Sequence, residues 1–224
     1  MIYKNITHGK FISRPNRFIA NALINGINEI CHVKNTGRCK ELLTESAEVI
    51  LEISDNLTRK TKYDLIAVYK GNRLINMDSQ APNKVVYEYL KEHYGNTYLI
   101  KPEYTIGNSR IDFYMENSEN KILIEVKGCT LENNNICSFP DAPTERGTKH
   151  IKELTQLKKE GYITAVLFVI QMEKPEYFTP NSENDPAFSR ALKYAKENGV
   201  YVAAMDCKVS ENSLKLSQSV IVIV

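Results

Sequence analysis

Three common sequence signals are missing from this chain of 224 residues. No apolar run reaches the roughly 18 residues that a membrane-spanning helix needs, and the first ten residues lack the apolar core of a signal peptide. These absences argue against a membrane partner and lead us to expect a cytoplasmic protein. The chain also lacks the GxxxxGK(S/T) loop that cradles nucleotide phosphates, which argues against a reaction driven by a nucleoside triphosphate.

The five cysteines form no CxxC pair. Their odd number, in a chain that is not small, argues against a disulfide framework. Cys31, His32 and Cys39 lie close together in the sequence but lack the paired ligand spacing of a zinc site. We therefore expect the cysteines to be buried free thiols.

Charge is almost balanced over the chain but unevenly distributed. The formal net charge is +2, and residues 1–81 hold 12 Lys and Arg against 8 Asp and Glu, whereas residues 82–224 hold 17 against 19. A basic first part is typical of a module that binds a phosphate backbone, although ordinary surface variation also explains a difference of this size. We predict one domain at residues 1–81 and a second at 82–224, joined by a short connection.

The N-terminal part contains several short β-like runs with turn residues between them, which predicts a small barrel or sandwich. Barrel closure removes the exposed edges of a small antiparallel sheet. Composition alone does not separate an OB fold from an SH3-like barrel. The predicted strands are residues 18–23, 29–33, 49–53, 65–69 and 73–76.

Basic residues of this part form three clusters that lie close in sequence to Phe11, Phe18 and Tyr63. Cationic grooves combined with aromatic stacking are how OB folds bind nucleic acid, so we predict phosphate contacts here. In the alternative interpretation the aromatic side chains belong to the core and the cations are only solvated. The clusters are Lys10, Arg14 and Arg17; Lys34, Arg38 and Lys40; and Arg59, Lys60 and Lys62.

A β-hairpin is predicted in the second domain. Residues 109–115 (SRIDFYM) and 122–127 (ILIEVK) are rich in strand-forming residues, and the polar turn ENSENK separates them. Closure of this turn with Met115 opposite Ile122 fixes the register of the pair. A slip of one residue would move every side chain to the other face of the sheet.

In that register the hairpin brings three charged residues together. Asp112 faces Glu125, and Lys127 follows on the same side because side chains alternate along a strand. Opposed like charges destabilise a strand pair, and a divalent cation with hard oxygen ligands would compensate them. The alternative interpretation is that both carboxylates face solvent and Lys127 is a surface partner.

The remaining pattern of the second domain predicts a mixed sheet with helices packed on it. A helix is predicted at residues 84–93, with Asn83 as its N-cap and Glu88 at the edge of its apolar stripe. The continuous apolar run at 162–171 is typical of a strand buried on both faces. The other elements are strand 98–106, helix 149–160, helix 186–198 and strand 200–206.

Residues 128–148 show little periodicity, and loops of this length in a compact domain are usually functional or disordered. Gly128 directly follows Lys127, where a side chain would obstruct a close backbone approach. Thr144 is a candidate N-cap for the helix that follows. Two prolines stiffen the segment FPDAP within this loop.

The stiff loop is expected to hold Asp141 or Arg146 near the carboxylates. Arg146 is suited to bind a phosphate through two hydrogen bonds. In the alternative interpretation it pairs with Asp141 or Glu145 and only orders the loop. His150 is expected to be structural, because water activated by a metal needs no histidine base.

Asp112 and the segment Glu125-Val126-Lys127 on the two central strands resemble the PD-(D/E)xK nuclease superfamily. Glu88 matches the acidic residue that many members carry on the first helix. The chain departs from the pattern at Ile111, where many members have proline. The resemblance implies a metal-dependent nuclease fold.

A second resemblance covers nearly the whole chain. Seven segments appear in family order and are similar to the sugar fermentation stimulation protein family of bacteria and archaea. This resemblance implies an N-terminal OB-type barrel, a PD-(D/E)xK-like second domain and DNA binding, but does not settle catalysis. The segments are residues 12–20 (ISRPNRFIA), 32–43 (HVKNTGRCKELL), 59–63 (RKTKY), 80–83 (QAPN), 107–113 (GNSRIDF), 124–128 (IEVKG) and 139–150 (FPDAPTERGTKH).

The expected fold is therefore α/β (α+β): a small OB-like β-barrel, then a mixed-sheet, helix-flanked restriction-endonuclease-like domain. The first functional hypothesis is a DNA-binding protein with a Mg²⁺- or Mn²⁺-dependent phosphodiesterase site. Asp112, Glu125 and Lys127 would be catalytic, and Asp112, Glu125 and Glu88 would hold the metal. Arg146 joins the cluster residues Arg14, Arg17, Lys34, Arg38, Lys40, Arg59, Lys60 and Lys62 as candidates for nucleic-acid binding.

The second hypothesis is a non-catalytic DNA-binding regulator of sugar metabolism genes that keeps a nuclease-like scaffold. A third and weaker hypothesis is a nucleotide or RNA phosphodiesterase. Double-stranded DNA is the expected partner in the first two hypotheses. The oligomeric state stays open, and a homodimer is compatible with the sequence.

Overall fold

A computed structural model describes residues 1–56, 58–107 and 109–224. Its first part is a closed β-barrel of five strands: β1 (Ile6–Asn16), β2 (Ile19–Ile24), β3 (Ile27–Val33), β4 (Glu48–Ile53) and β5 (Tyr63–Lys70). The strands lie in the order β3-β2-β1-β4-β5, and a parallel pairing of β3 with β5 closes the barrel. A short β6 (Arg73–Asn76) pairs antiparallel with β5.

Alternation of side chains explains how these strands build one core. In β2, Ala20, Ala22 and Ile24 point inward and are buried, whereas Leu23 is exposed. β5 departs from this pattern, because Tyr63 through Val68 are all buried. One face of β5 lines the barrel, and the other packs in a small cluster with Tyr3 and Ile50. The OB-like barrel that the sequence favoured is thus present.

The second part is a mixed sheet of nine strands: β7 (Leu99–Ile106), β8 (Ser109–Glu116), β9 (Lys121–Cys129), β10 (Leu131–Asn133), β11 (Ile136–Phe139), β12 (Ile163–Ile170), β13 (Tyr177–Pro180), β14 (Tyr201–Ser210) and β15 (Ser213–Val222). The strands lie in the order β10-β11-β13-β15-β14-β12-β9-β8-β7. The central β12 runs parallel to both β9 and β14.

Three helices cover the two faces of this sheet: α1 (Ala81–Tyr94), α2 (Glu145–Lys159) and α3 (Pro186–Glu197). α1 packs on β9 and β15, where its Val85 and Val86 share a core with Phe113. α2 packs on β12 and on α3, in a core that contains Phe168. β12 is therefore buried on both faces, as its continuous apolar sequence predicts.

The sequence predicted most elements of the second part but missed several strands. β10 and β11 lie inside the segment 128–148, which has too little periodicity to show them. β13 and β15 were also not predicted. In the barrel the missing strand is β1, which contains Gly9 and Pro15 and is held by pairing with β2 and β4 on its two sides.

Two helix N-caps were predicted, one of them correctly. Thr144 caps α2, because its side chain accepts a hydrogen bond from the amide of Gly147 at 3.0 Å. For α1 the prediction of Asn83 as N-cap is wrong: the helix begins at Ala81, and Gln80 occupies the cap position. Pro82 fits the first turn, because a proline there removes no helical hydrogen bond.

The two sheets meet across a buried polar junction. The Gln171 side-chain amide donates to Asn76 Oδ1 at 2.9 Å and to the Asp78 carbonyl at 3.0 Å. The Asn76 side chain in turn donates to the Tyr3 hydroxyl at 2.9 Å. The connection from β6 to α1 is short, as expected, while the boundary at residues 81/82 stays a prediction.

Among the described residues, no helix is long and apolar enough to cross a membrane. All five cysteines are buried free thiols, as predicted from their spacing.

Candidate functional site

The β8–β9 hairpin has the predicted register. Met115 lies opposite Ile122, and the ladder continues to Phe113 opposite Ile124. Beyond that pair Asp112 accepts a hydrogen bond from the backbone amide of Val126 at 2.7 Å through its side chain. The side chain of Asp112 thus occupies the place between the strands where regular pairing stops.

Asp112 is held by two donors. Besides the Val126 amide, the Asn83 side chain of α1 donates to Asp112 Oδ1 at 2.9 Å. Burial raises the pKa of Asp112 above its usual value, and the nearby charge of Glu125 raises it further. Asn83 is therefore a residue of the site, a role that the sequence analysis missed when it assigned Asn83 to helix capping.

Glu125 is only 2% exposed. Its Oε1 accepts a hydrogen bond from Lys127 Nζ at 2.6 Å and is also in direct contact with His150 Nδ1. Burial by itself would raise the pKa of Glu125, but the His150 hydrogen bond and the Lys127 ammonium outweigh it and lower that pKa. Glu125 is thus an ionised carboxylate inside the protein.

The second oxygen of this carboxylate, Glu125 Oε2, is buried and has no hydrogen-bond partner among the described residues. Buried carboxylate oxygens without a partner are costly. A hard divalent cation binds to carboxylate oxygens, and it would also relieve the repulsion between Asp112 and Glu125. The residues present therefore fit a metal ion at this place.

Glu88 does not join these two carboxylates. It lies on the exposed side of α1, and its carboxylate pairs with the N-terminal ammonium of Met1 at 2.7 Å. Within residues 1–56, 58–107 and 109–224, no group of three His, Cys, Asp or Glu side chains is arranged to hold a metal. The structure thus gives two of the three predicted metal ligands a common site.

His150 is the site residue that the sequence analysis excluded as a base and did not place. It lies on α2 one turn after Arg146, whose Nε is 3.4 Å from His150 Nε2. The spacing of four residues on a predicted helix was the available signal. Arg146 is exposed, and within the described part of the chain its contact with the site is the one to His150.

Asp141 was predicted to lie near the carboxylates or to pair with Arg146, and the structure gives it a different contact. Its Oδ2 accepts a hydrogen bond from the backbone amide of Arg38 at 2.7 Å. A Cβ atom added to Gly37 would lie 2.7 Å from the same oxygen, so a larger residue there would displace the Asp141 carboxylate. Asp141 therefore fastens the loop after β3 to the second sheet instead of facing the carboxylates.

Arg14 organises the same loop from the barrel side. Its guanidinium donates to four backbone carbonyls: those of Arg17, Asn35, Gly37 and Arg38, at 2.6 to 2.8 Å. The donors of Arg14 are thus largely committed to the protein itself, so its predicted phosphate contact has no support from the geometry.

Lys34 and Arg59 belong to an internal ion-pair network around Asp64. Both Nη atoms of Arg59 donate to Asp64, at 2.9 and 2.7 Å. Lys34 Nζ lies 3.3 Å from both Asp64 and Glu52. Lys34 and Arg59 thus neutralise carboxylates of the barrel, and the geometry gives no support to their predicted contacts with nucleic acid.

The other predicted basic residues are exposed. Arg17, Arg38 and Lys40 line a cleft of about 760 Å³ between the barrel and the second sheet. The opposite wall includes residues 128–131, which directly follow Lys127 on β9. Lys60 and Lys62 lie outside this cleft, and Lys62 Nζ is 5.1 Å from the centre of the Tyr63 ring.

Gly128 forms part of this wall, and its lack of a side chain is required. An added Cβ would lie 2.7 Å from Gln171 Oε1 and 2.8 Å from Pro82 Cγ. Such contacts are too close for real atoms, so the predicted close approach is present. Gly128 thereby lets α1 and the residue that follows β12 pack against the end of the strand that carries Glu125 and Lys127.

Two family models match the chain in succession. Residues 12–77 match the SfsA N-terminal OB domain, and residues 80–213 match the sugar fermentation stimulation protein RE domain. The chain belongs to the sugar fermentation stimulation protein family. The carboxylate site lies wholly within the second match, and Arg17, Arg38 and Lys40 lie within the first.

Individual relatives of the family match over their full length. A sugar fermentation stimulation protein homolog of Clostridium beijerinckii is 57% identical, with 100% of each chain covered. A homolog of Ruminiclostridium cellulolyticum is 54% identical, with 98% of each covered. The solved structure of Pyrococcus furiosus SfsA in complex with Ca²⁺ has a TM-score of 0.86 at 27% identity, covering 100% of this chain and 98% of that one.

Proposed function

We propose that this member of the family is a DNA-binding protein with a divalent-metal-dependent phosphodiesterase site on β8 and β9. The observation that carries the proposal is the unpartnered, buried Glu125 Oε2 beside Asp112. The complex of Pyrococcus furiosus SfsA with Ca²⁺ is consistent with a divalent cation in a protein of this fold. Mg²⁺ or Mn²⁺ is the proposed metal.

Asp112 and Glu125 would hold the metal, which when bound polarises a phosphate and lowers the pKa of a coordinated water. Asn83 and the Val126 amide keep Asp112 in place from α1 and β9. The Lys127 ammonium, 2.6 Å from Glu125, would orient a water or stabilise negative charge that develops on the phosphate. Each residue thus has a separate task at one site.

DNA would bind along the cleft between the two sheets. Arg17, Arg38 and Lys40 supply positive charge on the barrel wall, and the Gly128 end of the other wall leads to Lys127. Asp141 and the Arg14 guanidinium fix the loop that carries Arg38. The backbone of the nucleic acid would therefore be guided towards the carboxylates by a preformed surface.

The test of catalysis is nicking of supercoiled plasmid with Mn²⁺ or Mg²⁺. We expect wild-type protein to nick the plasmid and Lys127→Ala to be slower by about 100-fold or more, since removal of one stabilising donor typically costs this much. Lys193→Ala, an exposed lysine of α3, serves as the matched control. Equal rates for wild type and Lys127→Ala would remove Lys127 from the mechanism.

DNA binding is tested separately without metal. Affinity for DNA falls as salt rises, and the slope of log affinity against log salt concentration reports the number of phosphate contacts. Arg38→Ala and Lys40→Ala should each make this slope shallower by about 1, because each removes one phosphate contact. The readout is fluorescence anisotropy of a labelled duplex over a series of salt concentrations. An unchanged slope in both variants would contradict the cleft as the binding surface.

The non-catalytic regulator is a second candidate because Glu88 is engaged elsewhere. A two-carboxylate site without a third acidic or histidine ligand, among the described residues, favours a scaffold that binds DNA without cleaving it. If the protein is such a regulator, it should bind duplex DNA without metal, and Asp112→Asn should bind with unchanged affinity. Loss of duplex binding in that variant, with its fold intact, would exclude the regulator.

A further inference from the structure

Two donors converge on one oxygen of Glu125. Lys127 Nζ and His150 Nδ1 both contact Oε1, while Oε2 has no partner within the part of the chain that the structure describes. A carboxylate fixed by two donors on one oxygen cannot rotate without breaking both contacts. Its second oxygen is therefore held in one direction.

His150 has a neighbour on each ring nitrogen. Glu125 Oε1 is a hydrogen-bond acceptor, so His150 Nδ1 donates to it. On the other side of the ring, His150 Nε2 lies 3.4 Å from Arg146 Nε. The imidazole therefore links the carboxylate on β9 to the first turn of α2.

The helix makes this arrangement rigid. Arg146 and His150 are four residues apart on α2 and face the same side. Thr144 caps this helix, and its buried Ile151 and Leu154 pack in the core beneath the sheet. The position of His150 is thereby set by the packing of α2 and not by the strand that carries Glu125.

We infer that His150 is a positioning residue that turns Glu125 so that Oε2 faces the proposed metal, with Arg146 fixing the imidazole. The inference rests on the proposed function. Metal-binding carboxylates are usually oriented by hydrogen bonds of this kind, and removal of such a partner typically lowers metal affinity by 10- to 100-fold. His150 itself does not touch the metal or the substrate.

The test is Mn²⁺ affinity, measured by isothermal titration calorimetry without DNA, so that no cleavage is needed. His150→Ala should weaken binding by about 10- to 100-fold, and His150→Gln, which keeps a side-chain donor, should restore part of the affinity. His93→Ala is the matched control, because His93 lies on the exposed side of α1, where its Nδ1 contacts the Tyr89 carbonyl and its ring stacks on the Tyr89 ring. Circular dichroism checks that each variant is folded.

Failure of the inference differs from failure of the proposed function. If wild type binds Mn²⁺ and Glu125→Gln does not, unchanged affinity in His150→Ala overturns only the positioning role. If wild type binds no Mn²⁺, both are overturned, and DNA binding stays measurable on its own.

Discussion

Asp64 in the barrel and Glu125 in the second sheet are both buried carboxylates that a lysine and a histidine Nδ1 approach. Both have a lowered pKa, because in each case the cationic or hydrogen-bonding neighbours outweigh the effect of burial. They differ in how completely their oxygens are used. That difference separates a carboxylate that stabilises the fold from one that is available to a ligand.

At Asp64 every acceptor position is supplied by the protein. Oδ1 accepts from Arg59 and contacts His32 Nδ1 at 2.8 Å, while Oδ2 accepts from the other Nη of Arg59 and lies 3.3 Å from Lys34. Among the residues that the structure describes, Glu125 receives both of its donors on Oε1 and none on Oε2. A saturated buried carboxylate has no capacity left for a metal, whereas a half-saturated one does.

The largest expected effect is a difference in stability between variants of Asp64 and of Glu125. Asp64→Asn should lower the free energy of unfolding by about 3 kcal/mol, because Arg59 and Lys34 lose their counter-charge inside the protein. Glu125→Gln should change it by less than about 1 kcal/mol, since loss of that charge also removes repulsion with Asp112. Urea unfolding followed by circular dichroism measures both. Similar losses in the two variants would show that Glu125 is as structural as Asp64.

The second effect is the stabilisation by Mn²⁺, which should depend on Glu125 and not on Asp64. With Mn²⁺ at 100 times its dissociation constant, wild type should be stabilised by about 2.7 kcal/mol. The stabilisation should persist in Asp64→Asn and vanish in Glu125→Gln. Thermal unfolding at increasing Mn²⁺ concentration gives the answer, and a shift that survives Glu125→Gln would place the metal elsewhere.

The smallest effect concerns pH and the barrel. Because the pKa of Asp64 is well below its usual range, its stabilising contribution is complete above the ordinary aspartate pKa of about 3.9. The contribution is lost as pH falls below that value towards the pKa of the folded state. The stability gap between wild type and Asp64→Asn should shrink by up to about 1.4 kcal/mol per pH unit there. Urea unfolding across this pH range measures the difference in stability between wild type and Asp64→Asn. A difference that does not change with pH would contradict the proposal that ionised Asp64 stabilises the barrel.

The exposed cations of the barrel could not be separated from the internal ones by sequence. Lys34 and Arg38 lie four residues apart in one basic cluster, yet Lys34 pairs with Asp64 and Glu52 while Arg38 lines the cleft. Clustering in sequence reports where positive charge is concentrated. It does not report which carboxylates the fold brings against each side chain.

The sequence by itself determined the hairpin that carries Asp112, Glu125 and Lys127, because strand alternation and a short turn fix the faces of neighbouring residues. It also indicated the family, through segments that are local in the chain, and with the family the OB-type barrel. The strand pattern alone left a barrel and a sandwich open. Only the tertiary structure decided that Asn83 and His150 join the site and that Glu88 does not. Those contacts span 29 and 25 residues and depend on how α1 and α2 pack on the sheet, which no local pattern encodes.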